Sequence, residues 1–126
     1  MAKTLRVGLI GAGGIASGVH IPGYLKCGDK VEIVAISDVV REKAEALATE
    51  YAIPHVYTSY EEMLAQVELD AVSICTPNKF HAPATIAALR AGCHVLCEKP
   101  PAMTAEEARQ MADEAQKAGK ILTYGL

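Results

Sequence analysis

Three small residues near the N-terminus have the spacing of a phosphate-binding turn. Gly11, Gly13 and Ala16 fit the pattern G-x-G-x-x-G/A, which predicts a tight turn between a strand and a helix. The first glycine lets the chain turn off the strand, and the second lets the backbone approach a pyrophosphate because it has no Cβ atom. The N–H groups and positive dipole end of the helix then face the phosphates. Glycine-rich turns are common, so the context of the motif decides its interpretation.

An acidic residue follows the glycines at the distance expected for a ribose ligand. Asp38 comes after a second apolar run, residues 31–36, and Ser37. In a dinucleotide-binding crossover, an acid about 20 residues past the glycines accepts hydrogen bonds from the adenosine ribose. A carboxylate repels a 2′-phosphate, so Asp38 favours NAD over NADP, although Arg41 could pair with such a phosphate. The alternative is that Asp38 only caps the next helix.

Strands and helices alternate along the whole chain. The apolar runs predict six strands, at 5–10, 31–37, 55–58, 70–76, 94–98 and 120–124. Helices are predicted at 14–26, 39–51 and 82–91, and two more open at the capping boxes 59–62 and 104–107 and end near 66 and 118. Consecutive strand–helix units imply an α/β fold, a doubly wound parallel sheet in the order 3-2-1-4-5-6 with helices on both faces.

Four segments follow the carboxyl ends of these strands and should line the ligand crevice of such a sheet: 11–15, 37–38, 76–78 and 98–100. Lys99 is the candidate for chemistry. An ammonium group at that edge can hydrogen-bond a substrate hydroxyl or carbonyl and favour the negative charge that develops on its oxygen during hydride transfer. The alternative is a surface lysine at the start of a loop.

The composition is that of a globular domain with a modest negative charge. The chain has 126 residues, a formal net charge of −3 and no basic run, which argues against a nucleic-acid or anionic-membrane partner. Glycines interrupt the N-terminal apolar segment, which argues against a signal peptide, and no apolar run approaches the ~20 residues of a membrane span. We therefore expect a cytoplasmic location. The four cysteines lack C-x-x-C spacing, which predicts reduced thiols and no metal site.

Three motifs together resemble one enzyme family. They are Gly11-Ala12-Gly13-Gly14-Ile15-Ala16, Cys75-Thr76-Pro77-Asn78-Lys79-Phe80-His81 and Glu98-Lys99-Pro100, in the order and spacing of the glucose-fructose oxidoreductase / inositol dehydrogenase family. The resemblance implies a Rossmann-type domain that binds NAD or NADP. It implies an oxidoreductase that transfers hydride between this cofactor and a hydroxyl or carbonyl carbon of a sugar, inositol or similar polyol. The alternative is a non-catalytic cofactor-sensing module, which would have no chemical need for Lys99.

The resemblance also assigns roles to residues of this chain. Lys99 corresponds to the catalytic lysine of the family, and Glu98 to a contact with the nicotinamide ribose. His20 corresponds to a family position in the first helix, where we expect a packing role. The cofactor-binding residues predicted from the crevice positions and the resemblance together are Gly11, Gly13, Gly14, Ile15, Ser37, Asp38, Thr76, Pro77, Asn78, His81, Glu98 and Lys99.

Enzymes of this family carry a second, largely antiparallel domain that binds substrate, supplies an Asp/His pair as general base and often forms oligomers. Residues 1–126 would then be the dinucleotide-binding domain alone, either excised before that second domain, which we favour, or a natural short protein. We therefore expect this chain to bind cofactor with little turnover, because it has Lys99 but no evident base. We also expect that it can self-associate through the face on which a second domain would pack.

Overall fold

The computed structural model describes residues 3–99 and 102–124, and a parallel sheet forms the centre of this part of the chain. Its strands are β1 (Leu5–Ile10), β2 (Val31–Ser37), β3 (His55–Tyr57), β4 (Ala71–Ile74), β5 (His94–Cys97) and β6 (Leu122–Tyr124). They stand in the order β3-β2-β1-β4-β5-β6, and every neighbouring pair is parallel. This confirms the doubly wound order predicted from the sequence.

Helices cover both faces of the sheet. They are α1 (Ile21–Leu25), α2 (Arg41–Tyr51), α3 (Tyr60–Gln66), α4 (His81–Arg90) and α5 (Ala105–Ala118). One apolar cluster joins the sheet to α1 and α2 through the buried side chains of Ile21 and Leu47. A second cluster on the opposite face joins it to the remaining helices through Met63, Leu89 and Met111. Within the described residues, no helix has the length and apolar character needed to cross a membrane.

The two predicted capping boxes open helices as expected. The Ser59 hydroxyl accepts a hydrogen bond from the N–H of Glu62 at 3.2 Å, at the start of α3. The Thr104 hydroxyl does the same for Glu107 at 3.1 Å, at the start of α5. Gly119 then ends α5 in the left-handed region, with φ of 66°. These boundaries follow from hydrogen bonds within a few residues, which explains why they can be read from the sequence.

The first helix differs from the continuous segment predicted at 14–26. A π-helical turn at Ala16–His20 precedes α1, and the N–H of Ile21 donates to the carbonyl of Ala16, five residues back. Pro22 explains the wider turn, because proline has no N–H to donate and its ring crowds the carbonyl four residues earlier. The π-helical turn ends at His20, whose side chain lies buried against the sheet.

The start of α2 and the length of β4 also differ from the prediction. The helix predicted at 39–51 begins at Arg41, because Val40 is extended and its N–H donates to the carboxylate of Asp38 at 2.8 Å. The strand predicted at 70–76 is shorter because its partner β1 ends at Ile10, which pairs with Ile74, the last residue of β4.

The four cysteines are free thiols with different exposure, which leads to a prediction about reactivity. Cys27 is exposed, whereas Cys75, Cys93 and Cys97 are buried. Burial raises the pKa of Cys93 and of Cys97 to about 11 and raises that of Cys75 further still. We expect Ellman's reagent to react rapidly with Cys27 alone in the folded protein, and with all four thiols after unfolding, because the thiolate is the reactive form.

The control for this experiment is Cys27→Ser, which should leave no fast-reacting thiol in the folded chain. Rapid reaction of more than one thiol per chain would contradict the buried positions of the other three.

Candidate functional site

A cleft of about 520 Å³ opens beyond the carboxyl ends of β1, β2 and β4. The residues of the predicted site that line it are Gly11, Gly13, Gly14, Ile15, Ser37, Asp38, Thr76 and Pro77. The chain order of the strands reverses between β1 and β4, and the cleft lies beside this point. In open parallel sheets, this position is where ligands bind.

Gly11 is required by the fold around the cleft. Its φ is +103°, and a Cβ atom there would lie 2.6 Å from the backbone carbonyl carbon and oxygen of Cys75. Its N–H also donates to the carbonyl of Ser37 at 2.8 Å, which joins the turn to the end of β2. An L-residue with a side chain would therefore have both backbone strain and a backbone collision at this position.

Gly13 and Gly14 have no such role in packing. Apart from its chain neighbours and the backbone of its own helix, a Cβ atom on either would meet no atom of the described residues within 4 Å. Both line the cleft and lie just before the π-helical turn, where the first N–H groups of a helix have no partner inside it. The protein thus leaves bare backbone facing open space at a helix N-terminus, and a pyrophosphate group fits this arrangement.

Asp38 stands at the rim of the cleft in a fixed orientation. Its Oδ2 atom accepts the N–H of Ala12 at 2.8 Å, and its Oδ1 atom accepts the N–H of Val40 at 2.8 Å. The carboxylate therefore joins the glycine turn to the start of α2. Each carboxylate oxygen can accept a further hydrogen bond. Capping and ribose binding, which were alternatives at the sequence level, are thus compatible in one side chain.

The loop after β4 brings an unsatisfied hydroxyl to the cleft. Thr76 Oγ1 is buried and has no hydrogen-bond partner among the described residues. A buried hydroxyl without a partner lowers the stability of the fold by about 1–3 kcal/mol. A ligand that formed a hydrogen bond with this hydroxyl would remove that penalty. The carbonyl of the same residue accepts a hydrogen bond from Nε2 of His81 at 2.8 Å.

The other predicted residues of this loop lie away from the cleft wall. His81 is 1% exposed and supports the loop from beneath, through Thr76. Asn78 lies exposed in a short 3₁₀ turn, Asn78–Phe80. Their direct contact with a cofactor stays a prediction.

Glu98 and Lys99 lie beyond the end of β5, on the other side of β1 from Asp38. The Glu98 side chain is 18% exposed, and its Oε1 atom lies 2.6 Å from Nε2 of His20. It lines a separate depression of about 300 Å³ between α1 and β5. Lys99 is exposed and pairs with no acidic group of the described residues. Pro100, the last residue of the motif, lies outside the described residues.

Eight residues of the cleft were not among the predicted site residues. They are Ile10, Val39, Val40, Lys43, Thr58, Tyr60, Cys75 and Phe80. Thr58 follows β3 directly, so the rule about strand ends would have found it had it been applied to β3 as well. The residues on α2 had no signal, because their approach to the cleft depends on how that helix packs. Within residues 3–99 and 102–124, no group of three or more His, Cys, Asp or Glu side chains could hold a metal ion.

The sheet order, the bare glycines at the helix N-terminus and the acid after β2 define a dinucleotide-binding Rossmann domain. Residues 5–126 match the family model described as "Oxidoreductase family, NAD-binding Rossmann fold" (GFO_IDH_MocA). The chain belongs to this family, which confirms the resemblance carried by the three motifs. It is an NAD-binding oxidoreductase domain.

Two curated relatives illustrate the similarity. D-glucoside 3-dehydrogenase of Escherichia coli (strain K12) is 50% identical over 123 residues, which are 98% of this chain and 35% of the relative. D-xylose 1-dehydrogenase (NADP(+)) 2 of Haloferax volcanii is 40% identical over 115 residues, which are 91% of this chain and 35% of the relative. The chain therefore spans about a third of the length of these relatives.

A solved structure shows the same fold with a bound cofactor. The WlbA dehydrogenase from Bordetella pertussis, in complex with NADH and UDP-GlcNAcA, superposes with a TM-score of 0.93 at 32% identity. The match covers 98% of this chain and 37% of that protein.

Proposed function

We propose that this chain is the cofactor-binding part of an enzyme that transfers hydride between NAD and a hydroxyl or carbonyl carbon of a sugar, inositol or similar polyol. The observation that carries the proposal is the pair of glycines, Gly13 and Gly14, whose missing side chains leave open space beside an oriented Asp38. The relatives named for D-glucoside and D-xylose dehydrogenation support the substrate class.

The two halves of the cofactor would bind on opposite sides of the point where the strand order reverses. Asp38 follows β2, so the adenosine half lies over that strand, with Asp38 accepting hydrogen bonds from its ribose. The backbone N–H groups of Gly13 and Gly14 face the diphosphate. The nicotinamide half then lies toward β4 and β5. In this region Thr76 Oγ1 has no hydrogen-bond partner among the described residues, and Glu98 and Lys99 follow the end of β5.

The bound nicotinamide ring supplies the hydride chemistry, and the protein supplies position and charge. In this proposal the Lys99 ammonium donates a hydrogen bond to the reacting oxygen of the substrate. Its positive charge stabilises the negative charge that develops on that oxygen during hydride transfer. Lys99 forms no ion pair within the described residues, so no acidic side chain of that part of the chain competes with the substrate for it.

We further propose that residues following Leu126 in the whole protein complete the substrate pocket and supply the general base. Only 35% of D-glucoside 3-dehydrogenase is matched by this chain, which supports a second domain in the complete enzyme. By itself the chain would bind the cofactor with little turnover, and its self-association stays a prediction. A cytoplasmic location is also part of the proposal and is favoured by the four free thiols.

The preference for NAD over NADP depends on Asp38 in this proposal. A 2′-phosphate would lie beside a carboxylate that two backbone N–H groups hold in place. Arg41 already has an acidic partner, because its Nε atom lies 2.7 Å from Oε1 of Glu45, and we expect it to contribute little to the preference. Lys43 is a basic residue that lines the cleft. One relative is named as an NADP(+) enzyme, so the cofactor preference has to be measured for each chain.

Calorimetric titration of the chain with NADH and NADPH in parallel tests this preference. We expect NADH to bind at least about tenfold more tightly, and Asp38→Asn to shift the affinity ratio by about tenfold toward NADPH, because it removes the charge and keeps the shape. The control Arg41→Ala should leave the ratio unchanged. Equal or tighter binding of NADPH would make the preference wrong. No binding of either cofactor would contradict a cofactor site held by this chain.

A further inference from the structure

Four hydrogen-bonded side chains connect α1 to the end of β5 through the interior of the protein. Tyr24 Oη lies 2.5 Å from Ser73 Oγ, which lies 2.9 Å from Nδ1 of His20. His20 Nε2 lies 2.6 Å from Oε1 of Glu98. The His20 side chain is 2% exposed, so both ring nitrogens have partners in a place that water scarcely reaches.

The chemistry of the partners determines the direction of these hydrogen bonds. A carboxylate can only accept, so the Nε2 atom of His20 is the donor to Glu98. Burial raises the pKa of Tyr24, so its hydroxyl keeps its proton and can donate to Ser73. The Ser73 oxygen in turn lies within hydrogen-bond distance of Nδ1, the other ring nitrogen of His20. With both nitrogens engaged, the imidazole ring is held in one orientation.

His20 is the only described residue that holds the carboxylate of Glu98. The backbone of Glu98 is attached to the sheet, since its N–H donates to the carbonyl of Ile74 at 3.1 Å. Its Oε2 atom bonds no described residue, so one oxygen is oriented by His20 and the other is open to a ligand. Lys99 is the next residue along the chain, so an ordered Glu98 also orders the start of the segment that carries the lysine.

The π-helical turn is a second observation in favour of a functional role. π-helical turns are rare and often occur at functional sites, because they change the direction of a side chain at a cost in helix stability. This turn ends at His20 and brings its ring against β4 and β5. A packing role, expected at the sequence level, needs only an apolar side chain and leaves the two polar contacts unexplained.

We infer that His20 is a positioning residue for the nicotinamide half of the site, and that it acts by orienting the carboxylate of Glu98. The inference rests on the proposed cofactor function. In this scheme the hydrogen bond from His20 keeps one carboxylate oxygen occupied. The other oxygen then remains able to accept a hydrogen bond from the nicotinamide ribose, which is expected beyond β4.

Two near-isosteric variants at position 20 distinguish the contribution of the Nε2 atom from that of the Nδ1 atom. Gln at position 20 reaches as far as the Nε2 atom with its side-chain amide and retains a donor for Glu98. Asn is shorter, reaches only the place of the Nδ1 atom beside Ser73 and lacks the donor to Glu98. We expect His20→Asn to raise the dissociation constant for NADH about tenfold, and His20→Gln to keep it within about twofold of wild type.

ADP is the control ligand, because a purely structural role of His20 would make the variants bind ADP more weakly as well. It contains the adenosine and diphosphate half of the cofactor and lacks the nicotinamide ribose, so both variants should bind it with wild-type affinity. Glu98→Gln should weaken NADH binding in the same selective way. The double variant with His20→Asn and Glu98→Gln should bind NADH no more than about twofold more weakly than either single variant, because both changes remove the same interaction.

Several results would overturn the inference. If His20→Asn weakens ADP as much as NADH, including through misfolding, the residue is structural. Unchanged NADH binding in His20→Asn, failure of His20→Gln to retain affinity, or additive losses in the double variant would each contradict the route through Glu98. A wild-type chain that binds neither NADH nor ADP would instead contradict the proposed function, so the two failures are distinguishable.

Discussion

Gly13→Ala is expected to lower NADH affinity by at least about 100-fold while leaving the thermal stability of the chain unchanged. The added methyl group meets no atom within 4 Å in the part of the chain that the structure describes, beyond its chain neighbours, so the folded state has room for it. It would occupy the space into which the diphosphate must come to reach the backbone N–H groups. Calorimetric titration with NADH and a thermal melt of the same sample measure the two quantities.

Gly11→Ala is the matched control, because the same methyl group is added two residues earlier in the same turn. At this position it would lie 2.6 Å from the backbone of Cys75, at a φ of +103°. We expect a loss of at least about 3 kcal/mol in the free energy of unfolding, since neither the backbone strain nor the collision can be relieved by a side-chain movement. Wild-type NADH affinity in Gly13→Ala would show that the diphosphate does not approach this glycine.

Lys99→Ala is expected to reduce kcat by about 10²–10⁴-fold in the whole protein that contains this chain, with the NADH dissociation constant within about twofold of wild type. Lys99 is exposed at the end of β5 and forms no ion pair with the described residues, so its removal should not disturb the fold. Steady-state kinetics with a sugar or polyol substrate and a cofactor titration provide the two values.

Lys117→Ala is the control for the loss of one positive charge, since Lys117 is exposed in the last turn of α5, far along the chain from the cleft residues. It should leave both values unchanged. A Lys99→Ala protein that retains its full kcat would remove the lysine from the chemistry. Retention of a ligand response without any turnover in the wild-type protein would favour the cofactor-sensing alternative.

The sequence alone was sufficient for the order of the sheet and most of its elements. β1 and β2 were predicted with the bounds that the structure has, because both are near-continuous apolar runs whose last four residues are buried, and a glycine or an aspartate follows each. The starts of α3 and α5 were also predictable, since Ser59 and Thr104 cap them through contacts only three residues away.

Tertiary contacts decided what the sequence could not. The Asp38 carboxylate accepts hydrogen bonds from the N–H groups of both Ala12 and Val40. The bond to Ala12 can form only when β1 and β2 lie side by side. The same holds for His20, which is 78 positions from Glu98 in the chain and meets it only once the π-helical turn has packed its ring beside β4 and β5.

Local patterns thus determined which elements form, where the phosphate turn lies and which strand ends carry polar groups, because each depends on residues a few positions apart. The tertiary structure decided which of those groups line the cleft, which glycine serves the fold and which serves the ligand, and that His20 holds Glu98. Those features depend on distances between segments that are remote in sequence, and such distances exist only once the sheet and its helices have packed.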